Sequence, residues 1–153
     1  MLRVLVLCLM PLPALAQEAP VFATYSANSG SLPPENAWET TVTLYADGRL
    51  TLRRCTGYET EGPACKDRKA KVTPEALEAI RAAAMASELA ETPAKPSDYP
   101  MVGGSVIFAT VTLDGVTVTL PSDVAESDAA RVANVLRAVR AAIPARLDRF
   151  LTD

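Results

Sequence analysis

The sequence predicts an α+β fold, a two-layer sandwich in which two helices cover one face of an antiparallel sheet. Three observations lead to this prediction. Apolar and polar residues alternate on both sides of Asp47-Gly48 and again around Asp114-Gly115, as in half-buried hairpins. A segment with helical apolar spacing follows each hairpin. Together with an N-terminal strand, the two hairpins predict a sheet of four or five strands in an order that the sequence leaves open.

The N-terminal residues predict a secretory signal peptide, residues 1–16. A positive start, Met1-Leu2-Arg3, precedes an apolar run that is too short to span a membrane. The run ends at Ala14-Leu15-Ala16, a small-x-small cleavage site. We therefore expect residues 17–153 to form one domain in the periplasm or outside the cell, with no transmembrane segment after cleavage. An N-terminal anchor helix is the alternative.

Composition disfavours several classes of function. The chain carries 15 basic and 18 acidic residues, and the loss of Arg3 with the signal peptide takes the formal net charge from −3 to −4. An acidic chain is a poor match for nucleic acid as the main partner. The chain has no histidine, which excludes Ser-His and Cys-His nucleophile pairs and removes the commonest zinc ligand. The sequence therefore assigns no catalytic, cofactor-binding or metal-binding residue.

Cys55 and Cys65 are the two cysteines that remain once Cys8 leaves with the signal peptide. An even number of cysteines in an oxidising compartment predicts that they form a disulfide. On the chain-entropy account, a bond across so short a loop contributes about 2–3 kcal/mol to stability. A redox-active pair is the alternative, but the Cys-x-x-Cys spacing that would support it is absent.

The first half of the domain is expected to start with a strand over residues 21–26 and a polar loop over residues 28–37. The first hairpin then takes a three-residue turn, in which Gly48 adopts a positive φ. This register places four aliphatic residues on one face: Val42 opposite Leu52, and Leu44 opposite Leu50. The basic segment 66–71 follows. We interpret it as a solvated face that protects a sheet edge, with an anion or acidic-partner site as the alternative.

The start of the first helix is marked by Thr73-Pro74-Glu75. Thr73 is the predicted N-cap, since proline suits the first turn and glutamate complements the helix dipole. The predicted apolar stripe of this helix is Leu77, Ile80, Ala84 and Met85. A long proline-punctuated connection, residues 91–104, leads to the second hairpin, and loops of this length are often functional.

The second hairpin has a two-residue turn, because Asp114-Gly115 is a strong type I′ signal. The opposed residues in this register are Ala109 with Leu120, Val111 with Val118, and Leu113 with Val116. The last helix is expected to be capped by Ser127 or Asp128. Its predicted apolar stripe is Val132, Val135, Leu136 and Val139, and its predicted water-facing residues are Arg131, Arg137 and Arg140.

The order of elements resembles a set of small bacterial ββαββα domains. The resemblance runs through the hairpin Tyr45-Ala46-Asp47-Gly48-Arg49-Leu50 and the helix start Val72-Thr73-Pro74-Glu75-Ala76-Leu77. A proline-rich connector, a second hairpin and a final helix complete it over about residues 21–143. Among these domains are the emfourin-type inhibitors of thermolysin-like metalloproteases. The resemblance implies a non-enzymatic binding role and carries over no site residues.

Three functions are compatible with these features. The first is an exported, non-enzymatic binding module, inhibitory or not, for a protein partner in the envelope. The second is a structural accessory protein of the envelope. The third is a hydrolase without histidine, whose residues would come from the proline-rich connection: Lys95, Ser97, Asp98 and Tyr99.

The candidate binding face is the side of the sheet opposite the predicted helices. Most residues of that parity are threonines, as on a solvated sheet. Val106 and Phe108 depart from this pattern, and an exposed apolar patch beside aromatic and charged residues is typical of a binding hot spot. The predicted patch consists of Tyr45, Arg49, Arg53, Val106 and Phe108. The alternative is that residues 28–37 fold over Val106 and Phe108.

Overall fold

The computed structural model describes residues 18–57, 62, 64–99 and 103–151. The predicted signal peptide and its cleavage site lie outside these residues. Six strands and two α-helices lie in the described part of the chain. They are β1 (Val21–Asn28), β2 (Trp38–Tyr45), β3 (Arg49–Thr56), β4 (Ala64–Lys71), α1 (Pro74–Ala86), β5 (Val106–Leu113), β6 (Val116–Leu120) and α2 (Glu126–Ala142). Short 3-10 helices cover Pro34–Asn36 and Ala145–Phe150.

The strands form one antiparallel sheet in the order β4-β3-β2-β1-β5-β6. β1 therefore lies between the two hairpins and pairs with both of them. The two helices and the C-terminal 3-10 helix pack against one face of the sheet and enclose the core. The predicted α+β fold is confirmed, but the sheet has six strands rather than four or five.

The additional strand is β4, formed by the basic segment that follows Cys65. It pairs with β3 along its whole length, from Thr56 opposite Ala64 to Arg49 opposite Lys71. β4 is an edge strand, and most of its side chains are exposed. The segment is therefore a strand of the sheet as well as a charged surface.

Both hairpin registers are as predicted. In the first, Leu44 lies opposite Leu50, and Gly48 has a φ of 81°. In the second, the three predicted pairs are all present. Asp114 and Gly115 have φ values of 48° and 85°, and a type I′ turn requires positive φ at both central positions.

The first helix starts as predicted, but one residue of its stripe is misplaced. Thr73 is the N-cap of α1, and its hydroxyl accepts a hydrogen bond from the Ala76 N–H at 3.3 Å. Ile80 and Ala84 are buried. Met85 is 65% exposed, because the next residue after Ala84 is rotated by about 100° around the helix axis. The placement of Met85 in the core was therefore wrong.

The start of α2 and its outer face also differ from the prediction. The helix begins at Glu126, so neither Ser127 nor Asp128 is the N-cap. Asp128 is instead buried and accepts a backbone hydrogen bond from the connection between α1 and β5. Arg131 and Arg140 are half-buried rather than water-facing, since their guanidinium groups bind other elements. None of the helices in the described residues is long and apolar enough to cross a membrane.

Candidate functional site

The face of the sheet opposite the helices, called the open face below, is lined by half-buried and exposed side chains. A row of five threonines crosses it at directly opposed positions on β3, β2, β1, β5 and β6: Thr51, Thr43, Thr24, Thr110 and Thr119. The hydroxyls of Thr24 and Thr110 lie 2.7 Å apart and share a hydrogen bond. The open face is thus a band of hydroxyl groups that can donate to and accept from a bound partner.

The neighbouring row carries the features that distinguish this face from a plain solvated sheet. From β5 to β4 it contains Phe108, Ser26, Thr41, Arg53 and Asp67 at successive opposed positions. Phe108 is 44% exposed, so residues 28–37 do not cover it. Phe108 and Arg53 lie three strand spacings apart, which is about 14 Å. An apolar anchor and a cation therefore stand on one line across the face.

Tyr45 and Arg49 lie together at the turn of the first hairpin. The Arg49 guanidinium stacks over the Tyr45 ring at 4.4 Å from its centroid. Arg49 Nε donates to the Asp47 carboxylate at 2.7 Å, and the Arg49 N–H donates to the same group at 3.0 Å. These hydrogen bonds lower the pKa of Asp47, and the side-chain bond raises the pKa of Arg49. Arg49 is thus already held by its own hairpin.

The five residues of the predicted patch share the open face but do not form one cluster. Tyr45 and Arg49 lie near the turn of the first hairpin. Val106 and Phe108 lie two strands away, on β5, and towards the other end of the sheet. The separation between Tyr45 and Phe108 is about 10 Å across the strands and about 13 Å along them. Placing Phe108 beside Tyr45 was therefore wrong, because β1 separates the two hairpins.

The half of the open face formed by β2, β3 and β4 contains a shallow hollow of about 440 Å³. Threonine hydroxyls and charged side chains from β3 and β4 line it: Thr41, Thr43, Thr51, Arg53, Asp67 and Lys69. Arg53 and Asp67 form a loose, exposed ion pair at 3.9 Å. The β5 and β6 half of the same face carries threonines and Phe108, without a charged residue in either strand. One half of the face is suited to carboxylates and the other to neutral or apolar groups.

The connection that would supply a hydrolase is a surface turn. The Ser97 hydroxyl accepts a hydrogen bond from the Tyr99 N–H at 3.1 Å, and Tyr99 is exposed. The backbone of Lys95 is held by α2, since its N–H donates to Asp128. In the part of the chain that the structure describes, no group of three His, Cys, Asp or Glu side chains could hold a metal ion.

A polar network around Arg131 holds this connection in position. The helical spacing had predicted that Arg131 faces water. The Arg131 guanidinium donates to the Ser87 carbonyl at 2.8 Å, to the Thr92 carbonyl at 2.7 Å and to the Asp128 carboxylate at 2.8 Å. The hydrogen bond from the Lys95 N–H is the main cause of the lowered pKa of Asp128, and Arg131 adds to it. The Asp-x-x-Arg spacing in α2 was the sequence signal for this pair.

Cys55 and Cys65 occupy directly opposed positions on β3 and β4 and are placed at disulfide-bonding distance. They lie on the open face, on the same side as Arg53 and Asp67. The pair therefore ties the charged edge strand to its neighbour at the border of the candidate site.

No protein-family model matches this chain, and no curated protein gives a significant match to it. The function is therefore inferred from the chemistry of the open face.

Proposed function

We propose that this chain is an exported, non-enzymatic binding module that holds a protein partner on the open face of its sheet. The observation that carries the proposal is the exposure of Phe108 on a face of the sheet that neither of the two described helices covers. Phe108 is an accessible aromatic side chain among residues that carry hydroxyl groups. Residues of this type often anchor protein interfaces.

Phe108 differs from the other two phenylalanines in its surroundings. Phe22 is buried in the core, and Phe150 is partly buried, with the Arg68 guanidinium 5.1 Å from its ring centroid. Phe108 lies on the opposite side of the sheet from that core. Exposure of this apolar ring to water is unfavourable in free energy, so a partner that covers the ring is stabilised on the face.

The charge of the β3 and β4 half indicates what the rest of the partner surface contains. Arg53, Lys69 and Lys71 lie on the open face there, together with two acidic residues, Asp67 on β4 and Glu39 on the adjoining strand β2. A partner with an apolar residue over Phe108 and carboxylates about 14 Å away would match both halves. Exposed charges of this kind contribute mainly to the rate of association and to specificity.

Export is part of the proposal for two reasons. The N-terminal residues have the pattern of a signal peptide, and the cysteine pair at bonding distance suits an oxidising compartment. Inhibition of an exported metalloprotease is one form that the binding would take, and the resemblance in element order supports it.

Site-specific photo-crosslinking in the native host tests the proposal. A photoreactive phenylalanine analogue at position 108 should give one discrete adduct with a protein partner. The matched control is the same analogue at position 85, where Met85 is exposed on α1 on the other side of the molecule. We expect no adduct from position 85. Equal adducts from both positions would show that the open face is not a specific surface.

A second measurement separates binding from folding. Phe108→Ser should weaken capture of the crosslinked partner by about tenfold, which corresponds to more than about 1 kcal/mol. The melting temperature of the variant should stay close to that of the wild type, because Phe108 is outside the core. A melting temperature several degrees lower would show that Phe108 is a core residue and would contradict the proposal.

A further inference from the structure

β6 is one of the two edges of the sheet, and it is made entirely of uncharged residues, Val116-Thr117-Val118-Thr119-Leu120. Natural sheets usually protect an edge strand with lysine, proline, a bulge or a covering segment. Neither a charged residue nor a proline lies within β6, and its register against β5 is regular. This edge therefore lacks the charged side chains that protect β4.

The backbone groups that β6 presents to its free side follow from the turn. In a two-residue type I′ hairpin the residues that flank the turn, Leu113 and Val116, exchange both hydrogen bonds. Val111 and Val118 are the next pair of this kind, so Thr117 and Thr119 point their N–H and C=O groups away from β5. Among the described residues, no backbone hydrogen bond from elsewhere in the fold reaches either threonine.

A groove of about 250 Å³ runs beside this edge, between β6 and the chain that follows α1. Its walls are uncharged: Leu89, Ala90, Pro93, Ala94, Val118 and Pro121. Val116, at the start of β6, is 51% exposed. The edge thus combines two free donor and acceptor pairs, an apolar groove and an exposed apolar side chain.

We propose that a second copy of this chain occupies this edge, in an antiparallel β6–β6 pair with twofold symmetry. In the matching register Thr117 of one copy lies opposite Thr119 of the other, so the outward groups of both strands form four hydrogen bonds. Val118 then lies opposite Val118 of the other copy. Val116 lies opposite Leu120 of the other copy, next to the groove. The symmetric arrangement therefore places the exposed Val116 of each copy next to the groove of the other.

Charge permits a second copy at this edge and disfavours it at the other. In a twofold pair, each strand lies against the same strand of the other copy, so an uncharged strand meets no like charge. The β4 edge carries Lys66, Arg68, Lys69 and Lys71 against one acidic residue, and its self-pairing would bring cations together. The β6 pair leaves the open face free, so this inference does not depend on the proposed partner of Phe108.

Sedimentation velocity of the purified mature protein over a wide range of concentrations tests the pairing. We expect the sedimenting species to change from one copy to two as the concentration rises. A wild-type protein that stays monomeric over the whole range would overturn the proposal.

Two charge variants test the register itself. Thr117→Lys combined with Thr119→Lys places lysines opposite lysines in the pair and should weaken dimerisation by about tenfold or more. Thr117→Lys combined with Thr119→Glu places each lysine opposite a glutamate of the other copy and should preserve the dimer. Both variants carry their changes on exposed side chains, and circular dichroism should show that both monomers remain folded. If the two variants dimerise equally well, or if both lose the dimer, the proposed register is wrong.

Discussion

The two edges of the sheet are built in opposite ways. β4 carries five charged residues among its eight, and Cys65 places it at bonding distance from β3. Directly after β4, the Val72 N–H donates to the Gly48 carbonyl at 2.9 Å and fixes the end of the strand. β6 has no charged residue, and its outward backbone groups lie beside an apolar groove.

In the proposed pair of copies, this difference determines which edge of the sheet takes part. Every edge strand offers backbone donors and acceptors, so what decides its pairing is the cost of bringing side chains together. On β4 that cost is repulsion between cations, whereas the side chains of β6 are uncharged threonine, valine and leucine. The charges on β4 therefore disfavour a second copy at that edge, whereas β6 sets up no such repulsion.

The largest expected effect concerns the covalent anchor of the β4 edge. Replacing both Cys55 and Cys65 by serine should lower the free energy of unfolding by about 2–3 kcal/mol, because the unfolded chain loses a crosslink. Urea denaturation of the mature protein measures the loss. Wild-type protein in the presence of a reductant is the control and should lose the same amount. Two reactive thiols in the unreduced, denatured wild type would show that no bond forms.

The turns of the two hairpins should differ in their tolerance of a side chain. Gly48 and Gly115 both have positive φ, which disfavours any residue with a Cβ. A Cβ at Gly48 would lie 2.9 Å from the Val72 carbonyl oxygen, whereas a Cβ at Gly115 meets no atom within 4 Å. We expect Gly115→Ala to cost about 1 kcal/mol and Gly48→Ala about 2 kcal/mol. Equal losses in urea denaturation would show that the chain at Val72 moves aside without cost.

The hairpins could be predicted from the sequence because turn chemistry and alternation act together. Asp114-Gly115 selects a two-residue turn, and shifting the register by one residue would expose the apolar set. β4 could not be predicted in the same way. Its core-facing positions include Lys66 and Arg68, and the Arg68 guanidinium packs 5.1 Å from the ring centroid of Phe150. Long charged side chains cover the core with their apolar stems, so the apolar alternation is missing.

The position of β1 and the contacts of Arg131 depend on residues that are distant in the sequence. Nothing local in residues 21–28 specifies that this strand pairs with both hairpins, and this pairing separates Tyr45 from Phe108. Helical spacing placed Arg131 on the outer face of α2. Its long side chain reaches carbonyl groups of Ser87 and Thr92, which only the packing of the connection brings within range.

The smallest expected effect concerns the chain beside the β6 edge, which is held by charge instead of a covalent bond. The Lys95 N–H and Arg131 stabilise the carboxylate of Asp128 and lower its pKa in the folded protein. A group with a lowered folded pKa contributes stability above its unfolded pKa, about 3.9 for aspartate. That contribution is lost as the pH falls through the folded pKa.

Asp128→Asn should therefore be less stable than the wild type at neutral pH, and the gap between them should narrow as the pH falls below about 4. Urea denaturation at a series of pH values measures both chains. Asp98→Asn, in the exposed part of the same connection, is the control and should follow the wild type throughout. A gap that stays constant down to about pH 2 would show that the charge of Asp128 does not hold this chain.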